Sequence, residues 1–265
     1  MPQFAANLTM LFQEVPFLER FAAAAGAGFK NVEFLFPYDY PKEEIRSQLD
    51  KYGLKLVLCN LPAGNWAAGD RGIASNPARI AEFKAGVDLA IEYALALGVK
   101  QLNCLVGKRL EGVSLEEQYN VMVDNLRYAA DAFAKHGLQL LVEHINFYDM
   151  PGFLLNTTRD VIKILDAVGR PNTFLQFDIY HAQRMEGELI ATFKALQPRI
   201  AHIQVADNPG RHQPGTGEID YRNIFAVLDA AGYTGYIGLE YVPQPDTLGS
   251  LGWIAEYGYS LSSGL

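Results

Sequence analysis

The sequence is poor in the features that mark secreted, membrane-bound or nucleic-acid-binding chains. It has two cysteines in 265 residues, Cys59 and Cys104, with no CxxC spacing. Both lie in apolar runs, which reads as buried, reduced thiols in a cytoplasmic protein. No run of apolar residues reaches about 18, the length that begins to suggest a membrane helix, and no membrane partner is expected. The opening "MPQFAANLTM" has no charged segment followed by an apolar one, so no signal peptide is expected. Basic residues are the minority, 22 Lys and Arg against 30 Asp and Glu, giving a net charge of −8. A duplex-binding protein needs a basic stripe, so nucleic acid is not expected as a partner. Linkers and low-complexity segments are also missing, and residues 1–265 read as one domain.

What is present is alternation. Eight short runs have strand length and are rich in β-branched or aromatic residues, at 4–10, 31–36, 55–61, 101–107, 139–145, 173–179, 200–206 and 236–242. Amphipathic segments separate them. "VPFLERFAAAAGAG" and "PKEEIRSQLDKYG" each open near a proline and close on a glycine. "PARIAEFKAGVDLAIEYALALG" and "SLEEQYNVMVDNLRYAADAFAKHG" are longer, and Ser114 with Glu117 has the spacing of a capping box. "TTRDVIKILDAVG", "ELIATFKALQ" and "DYRNIFAVLDAAG" follow, and "DTLGSLGWIAEYGYSL" is a weaker helical segment. Eight strand–helix units over about 250 residues fit an α/β (β/α)8 TIM barrel. The rival is an open doubly wound sheet. It usually carries a glycine-rich phosphate loop after its first strand, where this chain has "TMLFQEVP" with no glycine.

A barrel of this kind places reactive groups at the C-terminal ends of its strands. Strand five ends on Glu143, strand six on Asp178, strand seven reaches Gln204 and strand eight Glu240. Side-chain alternation turns Leu140, Val142, Leu175, Phe177, Ala201, Ile203, Val205, Ile237 and Leu239 outward. It turns Leu141 and Glu143, Gln176 and Asp178, His202 and Gln204, Gly238 and Glu240 into the barrel, with Glu33 also inward on strand two. Three converging carboxylates repel one another, and a divalent cation relieves that repulsion. Carboxylate and amide oxygens without cysteine suit Mg²⁺, or Mn²⁺, better than a structural zinc. The competing reading is a set of separate salt bridges to Lys and Arg at the rim.

At these residues the chain resembles the hydroxypyruvate isomerase family, within the xylose-isomerase-like barrels, which includes 2-oxo-tetronate isomerases. "VEFLFPYDY", "NLPAGNWAAGDRG", "INFYDMPGFLLN", "QFDIYHAQRMEGEL", "HIQVADNPGRHQPGTGEIDY" and "GYIGLEY" carry the resemblance, which covers nearly the whole chain. It implies the (β/α)8 fold, a divalent metal held by Glu143, Asp178, Gln204 and Glu240, and Glu143 and Glu240 as the acid/base pair. The implied reaction converts hydroxypyruvate to tartronate semialdehyde through an enediolate. His181 and Arg211 are the first candidates to hold the substrate, with Lys108, Arg109 and Arg71 behind them. The family pattern after the last glutamate is Tyr-Lys-Pro; here Val242 replaces the lysine, which leaves the substrate carboxylate's anchor open.

Alternatives remain at this stage. A 2-oxo-tetronate isomerase would look the same. A ketose 3-epimerase would carry His where Gln204 stands. A metal-dependent endonuclease would want more than five histidines and a basic face. A non-catalytic sugar-acid binding protein would not need two glutamates. A homo-oligomer is left open. His202 is expected beneath Gln204 as an orienting group, His144 outward under a loop, and Trp66 in a pocket wall, lid or interface.

Overall fold

The computed structural model describes residues 2–261. Eight parallel strands close into a barrel in sequence order, each pairing with the next and the last with the first. They are β1 (Gln3–Asn7), β2 (Asn31–Glu33), β3 (Lys55–Asn60), β4 (Gln101–Cys104), β5 (Gln139–Glu143), β6 (Thr173–Asp178), β7 (Ile200–Val205) and β8 (Tyr236–Leu239). All eight expected strands are found, and several stop short of the apolar run that announced them. The residues beyond β1, β2 and β4 remain apolar because they enter buried rim loops.

The helices follow the expected segments. They are α1 (Phe17–Gly26), α2 (Lys42–Tyr52), α3 (Ile80–Leu97), α4 (Leu115–Ala134), α5 (Thr158–Val168), α6 (Ile179–Met185), α7 (Leu189–Leu196), α8 (Tyr221–Ala230) and α9 (Gly252–Glu256). Ser114 caps α4 by accepting the Glu117 N–H at 3.0 Å, which is one half of the expected box. The complete box is at α5, where Thr157 and Asp160 exchange hydrogen bonds. The weak last segment gives a single 3-10 turn and short α9, whose Trp253 is buried against Phe225 and Phe4.

Helix α6 was not expected. The expected strand six runs through Ile179, and Tyr180 and Ala182 continue its apolar character. Asp178 stops the strand instead: its Oδ1 accepts the His181 N–H at 3.1 Å and caps a helix of seven residues.

The main core fills the shell between sheet and helices. Outward strand residues such as Leu140, Leu175, Phe177, Ile203 and Ile237 are buried there. Inside the barrel, a small apolar floor of Ala5, Val57, Leu58 and Leu141 packs with Phe174, Ala201 and Tyr236. Ala201 was expected outward. The pairing of β6 with β7 steps from Leu175–Ile200 to Gln176–His202, so Ala201 is the extra residue of an irregularity and turns to the floor. Above the floor the interior is polar.

Candidate active site

Glu143 and Asp178 close β5 and β6, and Glu240 follows the last residue of β8. All three are buried, with about 5%, 1% and 6% of their surface exposed. One ligand atom each from Glu143, Asp178 and His181 lies within 4.8 Å of the others. The loop after β7 brings Arg211 over this group. Its Nη2 is 3.3 Å from Glu240 Oε1 and 3.7 Å from Asp178 Oδ2. The cation therefore bridges two strands' carboxylates, and its guanidinium carbon lies 5.2 Å from the centre of the Tyr180 ring.

Electrostatics here are strained. Burial, reinforced by the charges of Glu240 and Asp178, pushes the Glu143 carboxyl well above the ordinary range, while Arg211 pulls it back only in part. Burial raises Glu240 to about 8, against the pull of Arg211. Asp178 is also raised by burial despite Arg211. Burial opposes charge on Arg211 too, but the surrounding carboxylates outweigh it and hold the guanidinium charged. Three ionised carboxylates against one guanidinium leave two uncompensated negative charges, the deficit one divalent cation would cancel. An all-oxygen set from Glu143, Asp178, Glu240 and Gln204 matches a hard ion, so the donor chemistry fits such a group.

His181 lies beside this set, with Nε2 3.8 Å from Glu143 and 3.6 Å from Asp178. Its tautomer follows from its neighbours. The Asp149 N–H donates to Asn146 Oδ1, which fixes the amide, and Asn146 Nδ2 then donates to His181 Nδ1 at 2.7 Å. Burial holds the ring neutral, well below its usual pKa. A neutral ring accepting at Nδ1 carries its proton on Nε2, so His181 presents an N–H to the site rather than a lone pair. That suits a substrate oxygen better than a cation.

Gln204 is fully buried one step below the rim. Its Nε2 donates to Glu33 Oε1 at 2.8 Å, and its Oε1 accepts from Gln176 Nε2 at 2.6 Å. The carbonyl keeps a second lone pair. His202 was expected to act on Gln204 or a neighbour. It bonds Glu33 at 2.6 Å and lies 3.3 Å from the amide nitrogen of Gln101, reaching Gln204 only through Glu33.

The other cationic candidates separate clearly. The Lys108 backbone pairs with Phe153 at the rim, and its ammonium makes no ion pair with the cluster among the described residues. Arg109 donates to Val113 O and to Gln118 Oε1, closing its own loop. Arg71 lies 3.9 Å from the Trp66 ring centre and donates to Trp66 O. Trp66 is 39% exposed and packs on Phe36 at the mouth. His144 is buried outside the barrel and stacks on Phe177 at 5.9 Å; burial drops its pKa to about 3.

Several supporting residues were invisible to strand parity because they work from loops or through the backbone. Asp207 Oδ1 accepts the N–H groups of Asn208 and Ile219, and Oδ2 those of Gly215 and Gly217. That carboxylate shapes the loop that carries Arg211. A Cβ at Gly217 would lie 2.6 Å from Asp207 Oδ1, so only glycine fits there. Arg211 has φ +58°, a left-handed conformation costly for a residue that carries a Cβ. It is held by Val242 N–H donating to Arg211 O at 2.7 Å, and His212 Nδ1 lies 2.8 Å from Val242 O. Residue 242 thus serves the site through its backbone, which a valine does as well as a lysine. Asp149 accepts from Tyr180 Oη at 2.8 Å and pairs with Arg184, fixing the ring under Arg211. Asn103 Nδ2 donates to Glu143 Oε2 at 2.9 Å, leaving Oε1 for the site.

The family model for the xylose isomerase-like TIM barrel matches residues 21–257. Hydroxypyruvate isomerase of Escherichia coli is 51% identical over 97% of this chain and 100% of its own length. A 2-oxo-tetronate isomerase of Haemophilus influenzae is 46% identical over 97% of this chain and 100% of its own length. Among solved structures, AP endonuclease, family 2, from Brucella melitensis superposes with a TM-score of 0.94 at 44% identity, covering 97% of this chain and 99% of that one. D-allulose 3-epimerase from Methylomonas sp. reaches 0.76 at 24% identity, over 98% and 91% of the two chains, a likeness of fold alone. A closed barrel with buried carboxylates at its C-terminal rim, matched end to end by such relatives, belongs to the xylose isomerase-like TIM barrel family, in the branch of the hydroxypyruvate and 2-oxo-tetronate isomerases.

Proposed function

We propose that this enzyme is an aldose–ketose type isomerase of small hydroxy-oxo acids, converting hydroxypyruvate to tartronate semialdehyde. The observation that carries the reading is the pair of buried glutamates, Glu143 and Glu240, on strands β5 and β8, with a guanidinium between one of them and Asp178. The reaction takes a proton from the carbon beside a carbonyl and returns one to the neighbouring carbon. Burial raises both carboxyls in the metal-free protein, and a bound cation would offset that rise, leaving each carboxylate able to take a proton and, once protonated, to give it back. One glutamate removes the proton from the hydroxymethyl carbon; the other delivers a proton to the former carbonyl carbon. His181 donates its Nε2–H to a substrate oxygen. Arg211, a half-buried cation at the mouth, takes the substrate carboxylate, while Lys108 is left as a peripheral attraction. The cofactor is a divalent cation, Mg²⁺ first and Mn²⁺ second, held by Glu143, Asp178, Gln204 and Glu240. When bound it supplies Lewis-acid polarisation of the carbonyl that acidifies the neighbouring C–H.

The second reading is isomerisation of a four-carbon 2-oxo-tetronate, favoured by relatives at 43–46% identity that carry that name. One further hydroxymethyl group is a small difference in pocket volume. Purified protein assayed with Mg²⁺ on hydroxypyruvate, 2-oxo-tetronates and a neutral ketose decides between them. We expect turnover of one or both acids and little of the neutral sugar; turnover of the ketose alone would overturn the proposal.

A further inference from the structure

We infer that Glu33 is a positioning residue that sets which end of the Gln204 amide faces the carboxylate cluster, and thereby sets affinity for the cation. The inference rests on reading Gln204 as a cation ligand.

Glu33 closes β2, on the far side of the barrel from most of the cluster, and is completely buried. The strands between it and Gln204 are β1 and β8. Crossing them requires empty space in the interior, and Gly238 on β8 provides it. A Cβ at Gly238 would stand 2.3 Å from both carboxylate oxygens of Glu33, so any side chain there displaces the carboxylate. The space is filled by the two carboxyl oxygens of Glu33, on which nitrogen groups converge. Oε1 takes Asn7 Nδ2 at 2.9 Å and Gln204 Nε2 at 2.8 Å, and Oε2 lies 2.6 Å from His202 Nε2.

Three nitrogen groups thus converge on one acceptor, and the consequence for Gln204 is directional. Turned the other way, its carbonyl would face a carboxylate. With Nε2 committed to Glu33, Oε1 must face away, where it accepts from Gln176 and keeps a lone pair. A cation site needs that oxygen and is spoiled by an NH2 group. The Glu33 carboxylate therefore acts on the cation through the amide, as a residue behind a metal ligand orients it.

The test measures Mn²⁺ binding to metal-free protein by calorimetry, a readout independent of turnover. Glu33→Gln preserves shape but exchanges an acceptor for a donor, so Gln204 loses its fixed direction. We expect Mn²⁺ affinity to fall by about 10- to 100-fold. Gly238→Ala, which displaces the same carboxylate from the opposite strand, should fall similarly. In a Gln204→Glu background the sign reverses. There the native Glu33 faces a second carboxylate, and Glu33→Gln supplies the donor that carboxylate needs, so affinity rises by about tenfold or more. A purely structural role of Glu33 would not reverse sign. Cooperative thermal melting establishes that each variant is folded, and Gly238→Ala carries the test if Glu33→Gln is not. An effect within about threefold of the parent, or the same sign in both backgrounds, overturns the role of Glu33 while leaving the cation site standing. A parent protein that does not bind Mn²⁺ removes the cation site itself, and the role of Glu33 with it.

Discussion

At the residue scale, the site is a problem of charge in a confined space. Glu143, Asp178 and Glu240 are each buried, and Arg211 is the cation that touches two of them. The placement of the three carboxylates was legible in the sequence because strand parity and barrel topology together determine which side chains share an interior. His181, expected at the barrel mouth three residues past Asp178, does lie there, on the first turn of α6. Replacing Glu143 or Glu240 by Gln removes a proton carrier without changing shape. We expect kcat to fall by about 100- to 10,000-fold in either variant at saturating Mg²⁺. Calorimetric Mn²⁺ titration of the same variants separates this loss from loss of the cation, and near-parental kcat with bound metal would remove the acid/base role.

At the element scale, the loop after β7 decides whether a cation reaches the carboxylates. Arg211 lies in a left-handed conformation and is held through Val242 and the Asp207 hub. Nothing in the periodicity of the sequence exposes this. Loops lack a repeat, and backbone hydrogen bonds carry no residue signature, so Val242 looked like a lost lysine when it acts through its amide. The same blindness hid α6, whose apolar residues mimic strand. Asp207→Ala would orphan four backbone N–H groups and release the loop. We expect KM for the acid substrate to rise by roughly tenfold or more, with a smaller change in kcat, because substrate placement fails before proton transfer does. Steady-state kinetics against hydroxypyruvate check this, and an unchanged KM would show that the loop holds Arg211 without Asp207.

At the scale of the whole molecule, the fold was legible because hydrophobic period and length identify eight strand–helix units almost without regard to detail. Strand ends were less legible, since buried rim loops are as apolar as the strands that feed them, and the Ala201 irregularity leaves no mark in the pattern. The assembled barrel has a global pH response. Glu240 is raised to about 8 in the fold, above the roughly 4.3 expected of an unfolded glutamate. Between those values the folded metal-free protein binds more protons than the unfolded chain. Its stability is therefore full at the acidic end of that window and declines as pH rises toward 8, by no more than about 1.4 kcal/mol per pH unit for one such group. Buried His144 and His181, held neutral in the fold, act in the opposite sense below about pH 6.5. Thermal melts between about pH 7 and 8.5 should therefore show Tm falling with pH in a chelator and the fall flattening with Mg²⁺. A Tm that rises with pH in the chelator would contradict the raised carboxyls.

The layer of amides beneath the carboxylates has one more effect. Gln101, Gln176, Gln204, Asn7 and Asn103 pass hydrogen bonds along but neither gain nor lose protons near neutral pH. They separate the rim from the apolar floor as an insulator separates a conductor from its casing. Glu33 and His202, the titratable groups within this layer, hydrogen-bond to each other, to Asn7, Gln204 and Gln101, and to none of the rim carboxylates among the described residues. Amides therefore stand between a proton taken from substrate and any deeper carrier, and the mouth is its direct way out. Under the proposed chemistry, the interior favours handing that proton back to the same molecule, one carbon along, over losing it to solvent.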